Sequence, residues 1–497
     1  MFINCEKMMA RGLGNFARRL RTGWLGFGLC VPIAVFAQDG FSAGPLYAQF
    51  PLTLDSGHRT EAVGPFFFQQ ARDTEKSWGV PPLFSCLADP GTESEVYDLF
   101  YPLLTYEIYG REYRWQFCQL LSFAGGADQA GVGRNRFTLF PVYFQQRSPD
   151  TNENYTALVP FYGHLKNRLF RDDIYFVMFP IYSETRKRDV VTDNYLYPFF
   201  HLRHGEGLRG WQFWPVVGDE HKEVTTHTNG FGETEIVGGH DESFFLWPFY
   251  LRQDTGLGTD NPGKFRATIP LYAAARSSRR DSTSVLWPCF NWIDDREKKY
   301  HEWEGPWPFV VIARGPGKTT TRVLPLFGWS HNDTLESDFY LWPLYQYNRL
   351  HAGALDQART RVLFYLFQDE TEKNTETAKT KRRVDLLPLF TWHREFNGNR
   401  RLQILALIEP ALRGSSGIER NWSPLWSLWR AEDNPGTGAT SQSLFWNLYR
   451  YDTKPGAKKC SLLFGLFQYQ SNAESKKVRL LYVPLMNRHE PAGHSAK

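Results

Sequence analysis

The chain has 497 residues, 57 of them lysine or arginine against 53 aspartate or glutamate, and 16% are aromatic. The basic excess sits at the start: residues 1–37 hold five cations (Lys7, Arg11, Arg18, Arg19, Arg21) and one acid, Glu6, and their removal leaves 52 of each sign. A neutral remainder carries no electrostatic footprint for nucleic acid. After the first forty positions nothing approaches eighteen consecutive apolar residues, so any membrane association must be peripheral or through a β-barrel.

The five cations precede an apolar run, "GWLGFGLCVPIAVFA", that ends at Val35-Phe36-Ala37 before Gln38 and Asp39. A basic segment, about fifteen apolar residues and small side chains at the −3 and −1 positions describe a secretory signal cleaved after Ala37. Pro32 and the shortness of the run argue against a spanning anchor. The mature chain, residues 38–497, is therefore expected to be exported, to the outer membrane or periplasm of a bacterium. It keeps Cys86, Cys118, Cys289 and Cys460, whose spacing fits no zinc pattern; Cys86 with Cys118 is the expected bridge if one forms, and Cys289 is expected as a small buried hydrophobe.

From Pro45 onward one unit recurs roughly twenty-two times at about twenty-residue spacing, a period that marks repeat architectures. Phe179-Pro180-Ile181-Tyr182, Tyr197-Pro198-Phe199-Phe200, Trp247-Pro248-Phe249-Tyr250, Trp287-Pro288-Cys289-Phe290 and Trp342-Pro343-Leu344-Tyr345 are clear copies. Where proline is lost the pattern persists, as "VLFYLF" at 362 and "LLFGLF" at 462. Apolar, proline, apolar, aromatic, then a polar tail often carrying Arg or Gln is strand-and-turn chemistry. Helical periodicity is missing, and such prolines would break helices. The expected fold is all-β over 38–490: a large antiparallel up-and-down array, barrel-like, with a stacked-sheet solenoid or propeller-like form as the alternative, and 491–497 a polar tail.

Proline inside a strand removes a ladder hydrogen bond, so its recurrence implies a repeated kink or strand boundary in register. "FYLWPLYQYNR" at 339–349 is expected to be a strand bent at Pro343, with Phe339, Leu341, Pro343 and Tyr345 on one face and Tyr340, Trp342 and Leu344 on the other, apolar on both. The aromatic-proline bonds are open to the cis form. Between Pro215 and Pro248 the spacing stretches, and alternating runs around Asn229-Gly230 predict a β-hairpin excursion at 219–243.

Catalytic motifs are missing. "GPGKTTT" at 315–321 lacks the first glycine of a phosphate-binding loop, since Ile312 stands there, and it reads as a plain turn. Asp294-Asp295 and Asp172-Asp173 read as turn residues. The excursion gathers His221, His227, His240 and Asp241, a donor set suited to a divalent metal, against the simpler reading of a solvated loop. Trp214, Trp247, Trp287 and Trp342 each precede a repeat proline and are candidate ligand-stacking or interfacial rings, against a packing role.

Tandem aromatic-proline-aromatic units behind a signal segment resemble those of repeat-rich bacterial envelope proteins, a likeness of motif style covering most of 45–490. It implies a bacterial envelope location and carries over no catalytic residue. The expected function is non-enzymatic and without a cofactor: an outer-membrane-type barrel with a structural or transport role, in contact with outer-membrane lipid or envelope glycan. The alternative is a soluble periplasmic or secreted scaffold that binds glycans or proteins. The oligomeric state is left open.

Overall fold

In the computed structural model the chain is described over residues 46–489, except 128–130, 229–231, 233 and 474. The signal segment, the Asn229-Gly230 turn and the tail 491–497 lie outside the described residues. The unit of about twenty residues resolves into two short strands and two turns. Strands of four to eight residues pair antiparallel, each with the next in the chain, into one 43-stranded up-and-down sheet. Its two edge strands, Ala48–Pro51 and Val483–His489, do not pair with each other, so the ladder is not closed. The stretched unit carries a separate hairpin, Thr225–Thr228 against Thr234–Val237, between Val217–Lys222 and Gly239–Phe245, which pair directly.

The expected bent strand is instead a strand end, a turn and a strand start. Leu335–Tyr340 leads into residues 341–344, and Tyr345–Ala352 leads out, with Tyr340 opposite Tyr345. Pro343 therefore faces no ladder demand. The turn closes by Leu344 N–H donating to the Leu341 carbonyl at 2.7 Å, and it is tied to its neighbours: Leu341 N–H reaches Leu326 O (2.6 Å), Trp342 N–H reaches Pro325 O (2.7 Å) and Leu363 N–H reaches Leu344 O (2.7 Å). The backbone ladder thus continues through the turns, with proline at a position that needs no donor. From Pro82 to Pro388 every repeat proline follows a cis bond, and residues such as Leu246, Leu286 and Leu341 two places earlier adopt left-handed φ near 47°.

All these turns lie on one rim. The other rim holds polar connections such as Gly315–Lys318, the "GPGK" stretch, between Val310–Arg314 and Thr319–Val323. Strand pairing also overturns the expectation of two apolar faces. Starting beside the turn, Tyr345, Tyr347 and Arg349 share one face with Val362, Thr360 and Ala358 opposite them, while Gln346 and Asn348 share the other with Arg361 and Arg359. Apolar residues that look continuous in the sequence belong to a turn flanked by two outer positions.

The polar face is the inner one, as segment 405–428 shows. Where other units make a turn of two to five residues, this one inserts two short helices, Ser416–Asn421 and Ser423–Trp426, the first capped by Ser415, whose hydroxyl accepts from Ile418 N–H. The insert lies on the polar face of both ends of the sheet. Arg420 bonds Asp98 and, at 2.9 Å, Ser85; Asn421 bonds Asp98 at 2.9 Å; Arg413 reaches Glu370 and Asp385, both at 2.7 Å. Asn434 donates to Thr53 O (3.1 Å) and Asn447 to Glu61 (2.6 Å), so the first strands also pack on the last. The sheet is rolled by side chains across its polar face.

That face is close-packed because its first row is small or polar: Ser85, Asp98, Ser183, Asn194, Ala267, Ala273, Gln368 and Asp385 are all buried. Phenylalanine is accommodated there by glycine on the neighbouring strand, in the pairs Phe68–Gly79, Gly163–Phe176, Gly218–Phe244 and Gly328–Phe339. A Cβ on Gly163, Gly218 or Gly328 would fall 2.3–2.4 Å from the ring. One apolar cluster, Tyr155, Ala157, Leu165 and Phe176, occupies the inner face of the strands around Gly163.

A candidate interface at the apolar rim

The outer residues flanking each proline turn pair with one another, so they form a row along the sheet. From Val80 to Phe290 the row reads Phe, Leu, Tyr or Val at every paired position but Thr268. It resumes at Val310 and runs through Phe327, Tyr340, Tyr345, Val362, Phe367 and onward to Val483 with no polar member. Beyond the row the turn tips are apolar too, and exposed: Trp247 46%, Phe249 56%, Leu341 55%, Trp342 48% and Leu389 56%.

One pleat further from the rim the outer row is rich in aromatics. Trp78, Tyr97, Tyr106, Trp115, Phe123 and Phe137 follow one another across neighbouring strands, interrupted at Cys86, and Tyr106 stacks on Trp115 with centroids 4.0 Å apart. Trp211, Trp292, Trp303, Trp329 and Trp392 continue it, with both polar and apolar residues between them. The third row is rich in charge and makes ion pairs across strands: Asp294 with His301 (3.0 Å) in the row itself, and Arg349 with Asp356 (2.9 Å), which lies one row further from the rim. The hydrogen bond from Arg349 holds the Asp356 carboxyl below its ordinary range. The outer surface is thus graded from apolar tips, through aromatics, to ion pairs.

The four predicted tryptophans all lie in the tips, and neighbouring tips touch: Trp214 and Trp247 have centroids 5.6 Å apart, Trp342 and Phe364 6.4 Å. The predicted metal set does not converge. His221 faces Asp241 on the outer side and bonds it, whereas His240 lies one residue over, on the inner side, bonded to Glu220 at 2.8 Å. Glu220 is further engaged by Arg203 at 2.7 Å. His227 is on the separate hairpin and its side chain lies outside the described residues. Among the described residues no three metal-ligating side chains cluster. Asp294 and Asp295 point to opposite faces, as their partners His301 and Tyr300 require. None of the four cysteines is in a disulfide, so the Cys86–Cys118 bridge is not formed: Cys86 is a buried outer strand residue and Cys118 sits in an exposed turn. Cys289, in a turn tip, is half-buried rather than buried.

What sequence reasoning missed is the clasp at 405–428. Its signal was the loss of the repeat between Ile404 and Trp429, which nevertheless pair. The charges beneath it are strongly perturbed. Burial, reinforced by Arg401 and Arg383, pushes the His393 imidazole down to about 3. Burial works against the Glu432 carboxylate, yet Arg430 keeps its carboxyl below the ordinary value.

The fold and rim define an all-β, open, up-and-down sheet with one apolar edge. No family model and no curated protein matches the chain. No helix among the described residues is long and apolar enough to cross a membrane.

Proposed function

We propose that the protein is an exported, non-enzymatic constituent of the bacterial cell envelope that seats its apolar turn rim in one leaflet of a membrane. The observation that carries this is the continuity of the rim: exposed tips and the row behind them stay apolar along almost the whole sheet. A protein partner would have to match that band strand by strand, whereas a lipid surface is itself continuous. Tip and first row together are about three residues deep, or about 10 Å, the depth at which interfacial segments rest. Tryptophan and tyrosine of the second row then lie at headgroup level, where such rings are favoured, and the ion pairs stand in water.

Shallow seating is favoured over a lipid-spanning barrel by strand length. Strands here have four to eight residues, against about nine to eleven for a transmembrane strand. The role supported is structural, a wall or collar standing on a membrane. The test is to fractionate cells expressing the full chain and to float the purified mature protein with phosphatidylethanolamine vesicles. Retention in the membrane fraction and flotation are expected; a protein wholly in the soluble periplasm that stays at the bottom of the gradient overturns the proposal.

A further inference from the structure

The inner-face row beside the rim carries arginine at Arg322, Arg361, Arg430, Arg450 and Arg479, and they differ in company. Arg430 bonds Glu432 and Arg450 bonds Asp452, both at 2.8 Å or shorter. Arg322 and Arg361 have no carboxylate partner among the described residues. They flank one patch, since Arg322 pairs with Gly328, Gly328 with Phe339, Phe339 with Gln346, and Gln346 with Arg361. Arg361 lies over the Tyr365 ring, 4.8 Å from its centroid, with a buried Nε that meets no acceptor. Glu370, the inner-face acid on the neighbouring strand, is already engaged by Arg359 and Arg413.

Beside Arg322 is a depression of about 370 Å³ whose polar lining is Arg322, Ser337, Gln346 and Asn348, with Asp338 at its outer side and Trp342 at its foot; Arg361 stands beside it, opposite Gln346. Ser337 donates to Asn348 Oδ1 at 2.8 Å, which leaves the Asn348 amide N–H groups for another acceptor. His201 and Asn291, the counterparts of Gln346 in other units, bond the proline carbonyl of their own turns; Gln346 makes no such bond among the described residues. Asp338 pairs with Trp329 and Tyr347 on the outer face, whereas Arg322 is on the inner face, and the two form no ion pair among the described residues. The Arg322 guanidinium and the Gln346 and Asn348 amides line a space above the exposed tip of Trp342, and at its side Arg361 adds a second cation, unpaired among the described residues. That chemistry selects a phosphate.

We propose that this patch binds the phosphate of an anionic lipid headgroup, a proposal that rests on the seating of the rim described above. With the tips among acyl chains, the phosphates of the same leaflet stand at the height of Arg322 and Arg361.

The test compares flotation of the full mature protein on phosphatidylcholine vesicles with flotation on vesicles that also contain phosphatidylglycerol, alongside calorimetric titration with soluble glycerol phosphate. Wild type is expected to prefer the anionic vesicles. Arg322→Gln with Arg361→Gln is expected to lose that preference, roughly tenfold in affinity for each charge-assisted contact removed, while its binding to neutral vesicles stays unchanged. Arg322→Lys with Arg361→Lys, which keeps the charge, should retain part of the preference and separates loss of the site from loss of the fold. Equal preference in wild type and the double Gln variant overturns the inference and leaves the rim proposal standing. Failure of wild type to float on either vesicle overturns the rim proposal, and with it the lipid source. Saturable binding of glycerol phosphate in that case identifies a site for a soluble phosphate instead.

Discussion

The indole N–H of Trp422 donates to the carbonyl of Tyr101 at 2.8 Å, across 321 residues of chain. This bond joins the clasp to a proline turn at the opposite end of the sheet, and the ladder makes no such link. Closure is therefore a side-chain property that can be altered without touching any strand.

Arg420→Ala is the direct test of closure. The change strands Asp98, only 1% exposed, without its cation. Breaking a buried pair in this way costs about 3–5 kcal/mol. Because each strand contacts chiefly its neighbours, the loss should be local: hydrogen exchange should rise in Phe84–Asp89 and Ser94–Leu99 while the strands around Gly163 keep their protection. Uniform protection in the variant would show that the clasp does not hold the ends.

The tips should tolerate charge in water and not in lipid. Leu246 and Phe249 are 46% and 56% exposed, so Leu246→Asp with Phe249→Asp should leave the thermal midpoint nearly unchanged. If both side chains enter acyl chains, the pair forfeits about 1.5–3 kcal/mol each, and flotation should fall by more than tenfold. Wild-type flotation by this variant excludes its turn from the contact.

Gly328→Ala should destabilise through the Phe339 ring, which the new Cβ would meet at 2.4 Å. Overpacking of this kind costs about 1–3 kcal/mol. Adding Phe339→Leu should recover part of it, a coupling readable in a double-mutant cycle of denaturant midpoints.

Acid should loosen the clasp region. His393 titrates at about 3 when folded, below the ordinary histidine value of about 6.5, so the unfolded state binds the extra proton first. Its contribution is present above about pH 6.5 and is lost as pH falls towards 3. His393→Gln should flatten the fall in stability over that window, measured as thermal midpoint against pH; an unchanged slope would place the acid sensitivity elsewhere.

The all-β character and the repeat were legible because aromatic-proline spacing is a local signal. The strand boundaries were not. In 339–345 the apolar residues run without a break, and only backbone pairing shows that Leu341 to Leu344 form a turn. That error also produced the expectation of two apolar faces, since alternation was counted straight through a reversal of direction. Gln346, in the polar tail of its unit, belongs to the inner row. The inner role of that row depends on Arg413 and Arg420, far along the chain, and no local pattern reports on it.

In-register pairing has a further consequence for how such a chain can grow. A hairpin meets only the hairpins beside it, and each contributes the same vertical profile from tip to ion pair. Duplicating or deleting whole hairpins within the run from Tyr162 to Phe390 would change the width of the wall and leave its height and its footing as they are. Gene-level gain or loss of units is thus a neutral adjustment of girth, bounded only by the need of the 405–428 segment to reach both ends.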